Sequence, residues 1–226
     1  MKKYFPFLSC VMVAAFVFNS LNAQYDSSFQ TTYYGQKVTQ FRLIADTEED
    51  EIIFLGDSIT DIAEWADLFK NYKIKNRGIN GDKTFGVLNR LDEVTKRKPS
   101  KVFIMIGVND IASNVPDSFI LRNYASIVKR IKQESPATSI CIQSILPTND
   151  AFTEFKRHQG KDEHIRSVNK GLKQLALEQH CTYLDLYSLM LDTEGKLDRK
   201  YTNDGLHLTG EGYMVWKKAL LDNKLL

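Results

Sequence analysis

Residues 101–106 constrain the fold more than any other part of this chain. Val102, Phe103, Ile104, Met105 and Ile106 follow one another without polar alternation, the pattern of a strand covered on both faces. Residues 51–55, 139–145 and 182–186 read as further strands, and residues 72–76 as a weaker one before Arg77-Gly78. The intervening segments follow helical spacing. Phe85, Leu88, Leu91 and Val94 lie on one stripe, with Asp82 or Thr84 placed to cap it. Leu121, Tyr124, Ile127, Val128 and Ile131 form a second stripe. Ile165, Val168, Leu172, Leu175 and Ala176 form a third, within residues 164–179. A surface helix is expected over residues 33–44 and a last helix from about Gly210 to Leu221. Strands alternating with helices imply right-handed crossovers and a parallel sheet between two helical layers. Ligands in such sheets bind beyond the carboxyl ends of the strands.

The amino terminus reads as a separate unit. Lys2 and Lys3 precede an apolar run centred on Val11 to Phe18, and the small polar stretch Asn19 to Ala23 follows. This is the order of a secretory signal peptide, expected to span residues 1–23, and its apolar run is short for a spanning helix. Leu21 is larger than the residue usual two places before such a cut. Cys10 precedes most of the apolar run, which argues against its serving as a lipid-attachment site. Residues 24–226 then form a single domain of ordinary size. Cleavage would remove Lys2 and Lys3 and no acid, taking the formal charge from +2 to zero. A neutral protein has no electrostatic case for nucleic acid or an anionic membrane. The expected location is outside the cytoplasm, periplasmic or extracellular. Cys141 and Cys181 are expected to be separate thiols, since a domain of this size needs no disulfide.

Four clusters carry chemistry, each just past an expected strand. Gly56-Asp57-Ser58 places a hydroxyl where a helix begins, although Ser and Asp are also ordinary helix caps. Asn76 to Asp82 contains Gly78 and Gly81, either of which lets backbone N–H groups approach a ligand or simply makes a turn. Gly107-Val108-Asn109-Asp110 ends the most apolar strand with a carboxamide, suited to capping a turn or to donating to a developing oxyanion. Asn203 to Leu208 sets Asp204 three residues before His207 across Gly205, close enough for the carboxylate to fix the imidazole tautomer. His158, His164 and His180 lie in polar or helix-end settings and read as surface residues. Singly, each cluster has a plain structural explanation. Together and in order they supply a nucleophile, two oxyanion donors, and a base with its orienting acid. A metal site built from Asp57, Asp110, Asp204 and His207 is the rival arrangement, but it lacks a close ligand pair.

These clusters resemble the signature blocks of the GDSL, or SGNH, hydrolase superfamily from roughly Glu51 to Tyr213. The likeness is greatest to its platelet-activating-factor acetylhydrolase-like and bacterial acetylesterase-like members. The resemblance implies a flavodoxin-like α/β/α sandwich on a parallel five-stranded sheet. It also implies Ser58 as nucleophile, Asp204 and His207 as its partners, and an oxyanion hole from Ser58, Gly81 rather than Gly78, and Asn109. No metal or organic cofactor is required by that chemistry. The expected substrate is a small-molecule or glycan ester with a short, acetyl-sized acyl group. A lysophospholipase or acyl-thioesterase would need a long apolar channel, for which no lid segment is evident. Residues 147–163 are the longest polar insertion near the site, with Phe152, Phe155, Lys156, Arg157 and His158 available to contact a sugar or an anion, or to form a solvated loop. A binding module on the same fold would have no need of Ser58, Gly81, Asn109, Asp204 and His207 together. The pattern does not indicate an oligomeric state.

Overall fold

The computed structural model describes residues 28–44 and 50–226; the expected signal peptide and its cut lie outside the described residues. Five strands form one parallel sheet: β1 (Ile52–Gly56), β2 (Ile74–Gly78), β3 (Lys101–Met105), β4 (Ser139–Gln143) and β5 (Thr182–Leu184), in the spatial order β2-β1-β3-β4-β5. The apolar run of β3 is the central strand, and Val102, Phe103, Ile104 and Ile106 have no measurable exposure. The helices are α1 (Thr32–Leu43), α2 (Ser58–Asp61), α3 (Trp65–Phe69), α4 (Thr84–Arg90), α5 (Asp92–Thr95), α6 (Val108–Ala112), α7 (Asp117–Glu134), α8 (Asp162–Glu178) and α9 (Gly210–Asp222). On one face α1 meets α5, α4 meets α7, and α7 meets α8. On the other, α3 and α9 join through Trp65, which stacks on Phe54 at 4.1 Å and meets the Trp216 ring edgewise at 4.8 Å. The three-layer arrangement expected from the alternation is the observed one.

Several boundaries differ from the sequence reading for local reasons. β2 begins two residues later than expected, because Asn71 and Tyr72 form a turn closed by the Lys73 N–H on Asn71 Oδ1 at 3.0 Å. The stripe from Phe85 to Val94 is divided at Leu91, where the Val94 N–H bonds the carbonyl three residues back at 3.1 Å. Neither Asp82 nor Thr84 caps that helix. Lys83 holds the cap position without a side-chain cap bond, while Asp82 and Thr84 are committed elsewhere. α1 is more than a surface helix: Tyr34, Val38 and Phe41 are buried, in a second small core with Phe29, Ile79 and Phe85. Cys141 and Cys181 are both free, and burial pushes the Cys141 thiol up to about 12.

Beneath the carboxyl ends of β1 and β2 lies a fully buried guanidinium. Arg90 donates to Asp82 Oδ2 at 2.9 Å, to Glu93 Oε1 at 3.0 Å, and to the carbonyls of Arg77 and Gly56 at 2.9 and 3.3 Å. Glu93 in turn accepts from Arg77 at 3.2 Å. Removing one member of such a set leaves an uncompensated buried charge. Arg90→Met should therefore lower the unfolding free energy by roughly 3–5 kcal/mol, measured by urea titration. A loss below about 1 kcal/mol, the scale of a surface ion pair, would show that the network is not holding the strand ends.

Candidate active site

The strand order reverses between β1 and β3, and such a switch point opens a crevice at the carboxyl ends. β1 runs into Asp57 and Ser58, and β3 into Gly107 and Asn109. Asp57 takes the cap position of α2, its Oδ1 accepting the Ile59 N–H at 3.0 Å. Capping is thus done by the aspartate, which leaves the serine hydroxyl for another partner. Ser58 opens the helix, so its own N–H has no carbonyl inside the helix to bond.

That partner comes from the loop before α9. His207 Nε2 lies 2.9 Å from Ser58 Oγ, and His207 Nδ1 lies 2.7 Å from Asp204 Oδ2. The other carboxylate oxygen, Oδ1, accepts the backbone N–H groups of His207 and Leu206 at 2.8 and 2.9 Å. Partial burial acts to raise the Asp204 carboxyl, but the His207 ring and these N–H bonds outweigh it and hold the group below the usual carboxylate range. An ionised acceptor at Nδ1 puts the ring proton there and leaves the Nε2 lone pair facing the serine hydroxyl. Gly205 makes the turn possible: its φ is +83°, and a Cβ would sit 2.5 Å from the Asn149 carbonyl.

The two glycines after β2 have different tasks. A Cβ on Gly78 would come within 2.1 Å of the Asp61 nitrogen, so Gly78 is demanded by packing. Gly81 has open space around it and a φ of +76°. It stands third in a turn closed by the Asp82 N–H on the Ile79 carbonyl at 3.0 Å, where a positive φ suits glycine. This turn and the loop after β3 are tied together. Asn109 Nδ2 donates to the Asp82 carbonyl at 3.0 Å, while the Thr84 N–H and hydroxyl donate to Asp110 at 3.0 and 2.5 Å. Asn123 braces the Thr84 oxygen from α7 at 2.8 Å.

Three carboxyls lie buried under this floor. Burial pushes Asp57 and Asp110 up to about 7, partly offset by the Ile59 N–H and by Thr84 respectively, and pushes Asp82 up to about 6 against the pull of Arg90. Asp57 and Asp110 are occupied with backbone and Thr84 donors while Asp204 faces His207, so the four residues of the rival metal arrangement do not share one centre. Among the described residues no group of three or more His, Cys, Asp and Glu side chains is spaced to hold an ion.

The expectation that His158 lies on the surface is wrong. His164 and His180 are exposed, but His158 is 6% exposed, and its Nε2 lies 3.1 Å from Asn109 Oδ1. Nor is the insertion a solvated loop throughout. Thr148 and Asn149 are buried, and residues 156–158 form a short 3-10 turn that sets His158 inward. Phe155, at φ +47°, brings its ring edgewise to His207 at a centroid distance of 4.8 Å while staying 43% exposed. Sequence reasoning names Phe155 among the residues near the site but misses the burial of His158, because a single inward position between Arg157 and Gln159 leaves no periodic trace.

A family model, the GDSL-like Lipase/Acylhydrolase family, matches residues 54–215. The platelet-activating factor acetylhydrolase IB subunit alpha2 of Homo sapiens is 27% identical over 187 residues, covering 80% of this chain and 79% of that one. A solved structure from Streptococcus pneumonia, named for platelet activating factor, is 31% identical with a TM-score of 0.77, covering 84% of this chain and 92% of its own. A GDSL-like lipase from Bacteroides thetaiotaomicron is 28% identical with a TM-score of 0.74, covering 85% and 98%.

The raised Asp57 carboxyl has a consequence for stability. Its folded pKa of about 7 exceeds the ordinary 3.8, so its contribution is fully present below about pH 4 and is lost as pH rises through 7. Asp57→Asn keeps an oxygen for the Ile59 N–H and does not ionise. The stability of this variant relative to the parent should rise with pH between about 4 and 7, then level off. A difference that is flat over that range in denaturant titrations would contradict the buried, raised carboxyl.

Proposed function

This chain belongs to the GDSL-like lipase/acylhydrolase family and is an ester-hydrolysing enzyme, and we propose that it is an exported serine esterase that removes short acyl groups, acetyl above all, from carbohydrate alcohols. The observation that carries the catalytic part is the continuous chain Ser58–His207–Asp204, with contacts of 2.9 and 2.7 Å. In this reading His207 takes the Ser58 proton as the oxygen attacks the ester carbonyl, then gives it to the leaving alcohol. Asp204 keeps the ring oriented and stabilises the imidazolium. The N–H groups of Ser58 and Gly81, with the Asn109 carboxamide, receive the charge that develops on the carbonyl oxygen. Water activated by His207 then releases the acid from the acyl-enzyme.

The substrate assignment rests on three supports. Relatives of this chain carry the name acetylhydrolase, which favours a small acyl group. The leader-like first 23 residues favour a substrate outside the cytoplasm. Phe155 offers an exposed aromatic edge beside His207, and Lys156, Arg157 and the Arg199 guanidinium over Phe152 add polar reach, a combination suited to a bulky hydroxylated alcohol. The same relatives are named for platelet-activating factor, which keeps a lipid-like alcohol as the second reading.

Ser58→Ala should fold normally and lose on the order of 10³-fold or more in kcat on a chromogenic acetyl ester. Near-normal turnover by the folded variant would remove the serine mechanism. Across acyl lengths, acetyl esters should be cleaved much faster than octanoyl esters. Efficiency rising steadily with chain length would replace the acetylesterase reading with a lipase-like one. Asn109→Ala should lower kcat by roughly 10²–10³-fold with little change in KM, as expected for a donor felt most strongly in the transition state. Unchanged kcat with a lowered melting midpoint would make Asn109 structural.

A further inference from the structure

His158 has a place in the site that neither the triad nor the oxyanion donors account for. It arrives from the insertion after β4, and its ring is buried against the Asn109 side chain on α6. The hydrogen-bond inventory around that carboxamide settles its orientation. The Asp82 carbonyl can only accept, so the group facing it at 3.0 Å is the NH₂ of Asn109. The carboxamide oxygen must then be the atom facing His158 at 3.1 Å, and it too can only accept. His158 Nε2 therefore carries a proton. The other ring nitrogen, Nδ1, is buried without a hydrogen-bond partner among the described residues, where a second proton would be an unmet donor. Burial first, with the Arg157 charge alongside and only partly offset by the Phe155 backbone, pushes this ring down to about 4 and so keeps it neutral.

We propose that His158 is a positioning residue for the oxyanion site, a neutral Nε2–H clamp on the Asn109 carboxamide oxygen. The clamp fixes the plane of the amide from one side while the Asp82 carbonyl fixes it from the other. One Nδ2–H is spent on Asp82, and the second is held in a single direction for the substrate oxygen. A donor on the carboxamide oxygen also polarises the NH₂ group, which strengthens the bond it can give. Without His158 the amide could rotate about its last torsion, a soft degree of freedom, and the donor would be misdirected by a distance that matters for catalysis. The proposal rests on the reading of Asn109 as an oxyanion donor.

The test compares four variants with the parent on a chromogenic acetyl ester: His158→Leu, His158→Gln, Asn109→Ala, and the double variant His158→Leu/Asn109→Ala. Leucine removes the donor, whereas glutamine can return an N–H near the Nε2 position. His158→Leu should lower kcat by roughly 10- to 100-fold with KM changed little, and His158→Gln should recover most of that loss. In the Asn109→Ala background, His158→Leu should add almost nothing, because the two residues act through one group. Near-normal kcat in a folded His158→Leu protein would overturn the proposal. So would a loss that multiplies fully in the double variant, or a glutamine variant no better than leucine at equal urea midpoint. If Asn109→Ala keeps full kcat, the oxyanion role of Asn109 falls and this proposal falls with it. If Asn109→Ala is defective while His158→Leu is normal, only the clamp is lost.

Discussion

A guanidinium with no exposure to water must have its donors met by the protein, and Arg90 meets them at the ends of two neighbouring strands. Its bonds to the Gly56 and Arg77 carbonyls bind the carboxyl termini of β1 and β2 to one cation, and its bond to Asp82 carries the restraint into the next turn. From there the order of dependence is direct. The Asp82 carbonyl orients Asn109, the same turn presents Gly81, and β1 leads without interruption into Ser58. Alternatives in which these loops shift independently would each leave a buried charge or donor unmet, which costs more than most packing defects. The rigidity needed by a preorganised site thus follows from a burial constraint several ångströms beneath it.

The charges around the site are arranged in two layers. At the surface of the crevice, Asp204 stays ionised because the His207 ring and two backbone N–H groups offset its partial burial. Below, Asp57, Asp82 and Asp110 are pushed by burial to about 7, 6 and 7. Burial thus disfavours the ionised form of all three, against the pull of Arg90 in the case of Asp82. They still supply the acceptors that hold Ile59, Lys83 and Thr84.

Much of this was legible from residue types alone, for physical reasons. An unalternated Val-Phe-Ile-Met-Ile run has few stable places outside the centre of a covered sheet, and β3 occupies it. Gly56-Asp57-Ser58 and Asn109 were legible because each follows a strand and bears a polar group that is expensive to bury idle, and Asp204-x-x-His207 because that spacing across Gly205 lets the carboxylate reach the ring. The division of labour between Gly78 and Gly81 was not readable from the residues themselves, since one is set by contact with Asp61 and the other by a backbone angle. The break at Leu91 follows a change in hydrogen-bond spacing within an unbroken apolar stripe, which periodicity cannot register. His158 was misplaced because burial of one residue in a charged segment depends on a long-range partner, Asn109, that only the folded chain provides. The leader and its cleavage lie outside the described residues.

A covalent acyl intermediate on Ser58 can be read by direct labelling, without any assumption about the natural ester. The folded protein should be treated with a fluorophosphonate, digested, and its peptides mapped by mass spectrometry. The serine mechanism predicts one phosphonyl group per chain, carried by Ser58, with esterase activity falling in proportion to the label. A protein that continues to hydrolyse acetyl esters while unlabelled, or that loses activity through modification at another residue, would contradict it.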